Sequence, residues 1–215
     1  MEKQPKMEKQ PKKKTNWMHY IWITIAIVCF LIAGYGFFQR PLRNMQVSQH
    51  TKEALAQSLV QPKKNAKFQS SLKGVTNNPP TPKEKPNAII SIPSVGIKLP
   101  VFYNMTDAEM DTGVCTPIPG RQLGQNNNFV LAGHHLENQK LLFGRLTNIK
   151  QGAIVTITNS QHHTYKYQID QTKTVDETDT NVMNNTQNAT LTLFTCASGT
   201  PGTPYRFVAT GHLIQ

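Results

Sequence analysis

Thr190-Leu191-Thr192-Leu193-Phe194-Thr195-Cys196 alternates polar and apolar side chains, so an extended chain here puts Leu191 and Leu193 on one face and ends on a thiol. Ala197-Ser198-Gly199 and the turn residues Thr200-Pro201-Gly202 follow, and the next apolar run opens at Tyr205. The same texture extends upstream. Short strand-like runs at 88–92, 97–101, 128–132, 153–158, 164–169, 190–194 and 205–210 are separated by Gly, Pro and Asn. Seven or eight short strands at this spacing predict a mostly β domain over 87–215, either a closed or nearly closed barrel or a sandwich. Helix is scarce within it. Thr106-Asp107-Ala108-Glu109 has capping-box spacing and predicts one short helix, and residues 139–146 predict another.

The 215 residues carry 23 Lys and Arg against 12 Asp and Glu, a formal charge of +11. That excess lies outside the β region. Residues 1–14 hold 6 Lys and 2 Glu, residues 15–38 hold no charged side chain, and residues 39–86 hold 9 basic and 2 acidic groups. Residues 87–215 balance 8 basic against 8 acidic groups, so the part that folds lacks the global basic footprint of a nucleic-acid binder.

Trp17 to Phe38 is 22 uncharged residues, enough helix to cross a hydrocarbon core, with Trp17, Tyr20 and Trp22 at one end and Tyr35, Phe37 and Phe38 at the other. A cleaved signal peptide would have a shorter apolar region and a small-residue cleavage site, and Ala33-Gly34-Tyr35-Gly36 is a poor one. The expected arrangement is a cytoplasmic basic tail over 1–16, a transmembrane anchor over 17–38 and a stalk or linker over 39–86. The β domain at 87–215 then lies outside the cell, because Lys12, Lys13 and Lys14 precede the apolar run. Pro62, Pro79, Pro80, Pro82 and Pro86 mark the linker, and residues 50–60 read as one amphipathic helix using Leu55 and Leu59. Cys115 and Cys196 would both be exported. They form a structural disulfide, or one of them stays free because it reacts.

Three features carry chemistry. Phe129-Val130-Leu131-Ala132-Gly133-His134-His135 is an apolar strand ending in small residues and then an imidazole, and Ala-Gly permits close approach of another chain or a substrate. Cys196 closes the strand quoted first. Arg206 enters an apolar strand, Pro204-Tyr205-Arg206-Phe207-Val208, in a domain with only three arginines. Taken singly, such a histidine is more often a surface residue, such a cysteine more often fills a core, and such an arginine usually meets solvent. Together they supply a thiol nucleophile, a general acid/base and a guanidinium for a carbonyl oxygen.

In combination and in this order, Leu131-Ala132-Gly133-His134, Thr192-Leu193-Phe194-Thr195-Cys196 and, after nine intervening residues, Arg206 resemble the sortase family. Ile90-Ser91-Ile92-Pro93-Ser94-Val95-Gly96-Ile97-Lys98-Leu99-Pro100-Val101 is similar to that domain's opening strands, so the resemblance spans residues 88–215. It implies an eight-stranded sortase-type β-barrel and a cysteine transpeptidase in a Gram-positive cell membrane. Such an enzyme cleaves an LPXTG-like sorting signal between Thr and Gly through a Cys196 thioester and joins the surface protein to a cell-wall amine, typically on lipid II. His134 is then the acid and base, and Arg206 stabilises the oxyanion or holds the substrate. An N-terminal anchor and a chain that stops soon after the arginine strand look most like class A, the housekeeping type. The Asp-Pro-aromatic lid motif of class C is not seen, and 170–188 is not an obvious class B insertion. No substrate-binding residue is assigned.

Three departures bear on these expectations. His135 doubles the imidazole, Cys115 stands where a small residue is expected, and 116–133 lacks the acids through which some sortases bind calcium. No metal or cofactor is therefore expected. His162-His163 also lacks partners at ligand spacing. Two other functions fit the residues: a membrane-tethered, non-catalytic β domain that binds wall components, and a thiol hydrolase that cleaves without transfer.

Overall fold

The computed structural model describes residues 17–59 and 84–215, so the basic tail over 1–16 and residues 60–83 of the linker lie outside the described residues. Strand β1 (Ala88–Ile92) buries Ala88, Ile90 and Ile92 and pairs antiparallel with β2 (Ile97–Phe102). Pro93–Val95 forms a 3-10 turn between them, and Gly96 closes it in the left-handed region at φ 65°. The chain then crosses through a one-turn helix, α2 (Asp107–Met110), to β3 (Val114–Cys115), which lies parallel to β2. Thr106 precedes α2 as expected, although its side chain makes no capping bond.

β4 (Asn128–Ala132), β5 (Ile154–Asn159), β6 (Thr164–Asp176), β7 (Thr190–Cys196) and β8 (Tyr205–Leu213) complete a closed barrel in the order β1-β2-β3-β4-β7-β8-β6-β5. A closed barrel leaves no sheet edge to template other chains. Its interior is filled by Ile90, Val101, Phe129, Leu131, Ile157, Leu191 and Leu193, all at 0% exposure. At about 1.5–3 kcal/mol for each large apolar side chain, this burial is the main term opposing the entropy of the unfolded chain.

Three elements differ from the sequence reading. β3 has two residues, too few to show a period. β6 runs on past 169 to Asp176; its outer half pairs with β8 while most of its side chains face water, so no hydrophobic rhythm marks it. The helix expected over 139–146 is instead a series of turns, with Leu142 at φ 47° and Gly144 packed against the Gln139 backbone, leading into a 3-10 turn at Leu146–Asn148. Burial of Leu142, Phe143 and Leu146 takes over from helical hydrogen bonding there.

Helix α1 spans Trp17–Leu59. Residues through Leu42 form one unit and Arg43–Gln215 another. Within the second unit, Val47 and Ala54 are buried, Ala54 packs with Phe102 and Cys115, and the Thr51 hydroxyl donates to the Thr112 carbonyl at 2.7 Å. The stretch read as stalk therefore begins as a helix docked on β2 and β3. Its contact face is Val47, Thr51 and Ala54, too small and polar a stripe to stand out in sequence. The anchor expected over Trp17–Phe38 falls on the first part of α1, and the side chains of Ile21 to Ile32 are exposed. Among the described residues no helix is long and apolar enough to cross a membrane, so the structure does not supply the expected span.

Gly211 of β8 faces the irregularity between Ile169 and Gln171 in β6, and a Cβ there would overlap the Gln168 carbonyl oxygen. Gly211→Ala is expected to lower the unfolding free energy by about 1–3 kcal/mol in urea titrations. An unchanged midpoint would contradict this packing.

Candidate active site

The site stands where β4 and β7 end side by side. They are parallel neighbours, with Phe129 opposite Leu191 and Ala132 opposite Phe194, so the residues that follow Ala132 meet those that follow Phe194. The Gly133 N–H donates to the Phe194 carbonyl at 3.2 Å, and the buried Thr195 hydroxyl donates to the Gly133 carbonyl at 2.7 Å. Thr195 is thus the third inward position of the strand after Leu191 and Leu193, while Cys196 is partly exposed. Gly133 is needed for a different close approach from the one expected: a Cβ there would come within 2.7 Å of the Phe143 ring and 2.9 Å of Val114. The Phe143 N–H in turn donates to the His134 carbonyl at 3.0 Å, fixing the segment after β4.

β7 and β8 are antiparallel, and Cys196 pairs directly with Arg206. The guanidinium is held from several sides. Its Nη1 donates to the Thr203 carbonyl at 2.8 Å and the Tyr205 carbonyl at 3.1 Å, and its Nη2 donates to Glu177 Oε2 at 2.6 Å. Glu177 lies just beyond β6, and its own N–H donates to the Pro204 carbonyl at 2.7 Å. Those bonds tie the start of the β6–β7 connection to the end of the β7–β8 connection.

The two histidines separate by environment. His135 is buried, and its Nδ1–H donates to the Cys196 carbonyl at 2.8 Å, so it braces the end of β7. His134 is 39% exposed, with Nε2 3.9 Å from Asp111 Oδ1. Burial holds its pKa below the ordinary histidine value, opposed by the Asp111 carboxylate, supported by the Arg43 guanidinium and opposed again by Asp107. Arg43 of α1 itself donates to Asp111 Oδ1 at 3.1 Å.

No disulfide joins Cys115 to Cys196: both are free, and the expected alternative of a bridge is corrected. Cys115 is fully buried between β2 and β4, and burial, with a contribution from Glu109, pushes its thiol up to about 12. His162 and His163 lie in the exposed turn between β5 and β6 rather than on a strand. Among the described residues no three His, Cys, Asp or Glu side chains gather to hold a metal. Sequence reasoning did not find Asp111, Arg43 or Glu177. Each reaches the site from an element distant in sequence, and none lies in a spacing pattern of its own.

A thiol, an imidazole and a guanidinium thus stand at neighbouring strand ends of an eight-stranded barrel, groups that can supply a nucleophile, a general acid/base and a donor to a carbonyl oxygen. The family model described as the sortase domain matches residues 90–214, and the chain belongs to the sortase family. It is 38% identical over 124 residues to Sortase A of Listeria monocytogenes, a match covering 58% of this chain and 54% of that protein. The chain thus spans about half the length of that relative. Sortase A of Streptococcus agalactiae is 26% identical over 204 residues, covering 86% of this chain and 82% of that one. Among solved structures, Listeria monocytogenes sortase A superposes with a TM-score of 0.58 at 36% identity, covering 61% of this chain and 89% of that chain. The chain is class A-like on these likenesses.

The thiolate is the reactive form of cysteine, so the two barrel thiols are expected to differ. Iodoacetamide at pH 8 should alkylate Cys196 in the folded protein and leave Cys115 unmodified until denaturant is added, as read by peptide mapping. Comparable labelling of both would contradict the burial of Cys115.

Proposed function

We propose that this chain is a membrane-anchored cysteine transpeptidase that cleaves an LPXTG-like sorting signal between Thr and Gly and transfers the surface protein to a cell-wall amine of the lipid II type. The observation that carries the reading is the register that makes Cys196 and Arg206 cross-strand partners at the end of the β4–β7 pair, where His134 follows. The Cys196 sulfur attacks the Thr carbonyl carbon, and the negative charge that forms on the carbonyl oxygen is met by Arg206. The C–N bond then breaks as His134 gives its proton to the departing Gly amine, leaving a thioester. The acceptor amine attacks that thioester, the C–S bond breaks to release the Cys196 thiolate, and His134 takes the amine's proton, restoring the starting imidazolium.

His134 suits the acid/base role better than its neighbour. Its ring is partly exposed, whereas His135 has committed Nδ1 to the Cys196 carbonyl. Arg206 has five N–H donors. Among the described residues Nη1 and Nη2 make three hydrogen bonds, which fix the plane of the guanidinium on the residue that pairs with Cys196. Membrane anchoring rests on the uncharged run from Trp17 to Phe38 and the lysines before it, with the N-terminus cytoplasmic and the barrel extracellular.

The test is product analysis of an LPXTG peptide incubated with the full chain, with and without an added amine. The expected result is cleavage at Thr-Gly and an amine-linked product. Cys196→Ala should abolish cleavage, and His134→Ala should reduce kcat/KM by about 10²–10⁴. Arg206→Ala should cost about 10²–10³. Cleavage that never incorporates the amine would make the protein a thiol hydrolase. No cleavage, with Cys196→Ala indistinguishable from wild type in binding wall material, would make it a non-catalytic binding domain.

A further inference from the structure

The charges around His134 are contributed by segments far apart in sequence. Asp111 caps the C-terminal end of α2, its N–H bonded to the Asp107 carbonyl at 2.9 Å, and its side chain is only 22% exposed. One oxygen, Oδ1, faces a guanidinium and an imidazole at once. It accepts from Arg43 Nη2 at 3.1 Å and lies 3.9 Å from His134 Nε2. Arg43 sits on α1, and the helix that carries it is docked through Val47, Thr51 and Ala54. Asp107 on α2 is a second acidic neighbour. The segment of His134 itself contributes His135 and Glu137, β7 contributes Cys196 and β8 Arg206.

From this geometry we infer that Asp111 is a positioning residue that sets the acid strength of His134, and that Arg43 on the docked helix competes for the same carboxylate and tempers it. The inference rests on the proposed acid/base role of His134. A carboxylate about 4 Å from an imidazolium stabilises the charged ring, and a guanidinium on the same oxygen withdraws part of that field. The two neighbours therefore act with opposite sign. Loss of Asp111 leaves burial and Arg43 to disfavour the imidazolium, so the ring titrates lower. Loss of Arg43 leaves Asp111 unopposed, so the ring titrates higher. Docking of the helix before the barrel is thereby linked to the proton available for the departing amine, because undocking carries Arg43 away from Asp111. Both groups are partly solvated, so the effect is larger at low ionic strength.

The experiment uses the full chain and three variants, Asp111→Asn, Arg43→Gln and Asp111→Glu. The titration midpoint of His134 is read from deuterium exchange at its ring C2–H by mass spectrometry, beside the pH profile for cleavage of an LPXTG peptide. Asp111→Asn should move the His134 midpoint to lower pH, Arg43→Gln should move it to higher pH, and Asp111→Glu should return it toward wild type. Above the midpoint the acylation rate of Asp111→Asn should fall about threefold or more, following the imidazolium fraction. A midpoint unmoved in either of the first two variants, or moved in the same direction in both, overturns the inference, since a purely structural role would not split the signs. If wild type fails to cleave any LPXTG peptide, the proposed function falls, while the ring titration still decides the coupling.

Discussion

Parallel pairing of β4 with β7 is the constraint on which the site depends. Parallel strands run the same way, so both chains finish at one pole of the barrel, and Ala132 opposite Phe194 puts Gly133 and His134 beside Thr195 and Cys196. An antiparallel pair would have sent the imidazole and the thiol to opposite poles. The pairing is secured by the fully buried Phe129, Leu131, Leu191 and Leu193 below, and above by the Thr195 hydroxyl on the Gly133 carbonyl and the His135 ring on the Cys196 carbonyl. Of the two adjacent imidazoles, one braces the backbone of Cys196 and the other is left partly exposed.

The cations at the site are placed by carboxylates from other elements. Glu177 fixes Arg206 from the β6–β7 connection, and Asp111 holds Arg43 while facing His134 from the end of α2. Exposed ion pairs contribute little to stability, typically under about 1 kcal/mol. Their consequence lies in orientation and in the charge felt by His134. The buried Cys115 shows the contrasting case: with its thiol pushed up to about 12, it acts as a small apolar side chain between β2 and β4.

Much of this was legible because strands that bury one face write a period of two into the sequence. β1 and β4 fall on the residues expected, and the expected runs at 190–194 and 205–210 lie inside β7 and β8. The eight-stranded barrel followed from the resemblance carried by the motifs around His134, Cys196 and Arg206. The outer half of β6 was silent because most of its side chains face water, and the turns at 139–146 were misread because apolar residues that bury in turns keep a helix-like spacing. The docking of α1 was hidden by the modest size of Val47, Thr51 and Ala54. Asp111, Arg43 and Glu177 were beyond reach for a simpler reason: Arg43 is 68 residues from Asp111, and Glu177 is 29 from Arg206. Docking of α1 brings the first pair together, and the pairing of β6 with β8 the second.

If Cys196 is the proposed nucleophile, the substrate's acyl group is carried on its sulfur, and intact-mass analysis detects that adduct. The full chain, reduced and folded, is mixed with an LPXTG peptide, quenched in acid and mapped by fragmentation. The expected result is an added mass equal to the peptide's acyl portion through Thr, located on Cys196, absent from Cys196→Ala and lost when an amine is supplied. A peptide cleaved without any adduct in the wild type, or an adduct that persists in Cys196→Ala, would contradict it.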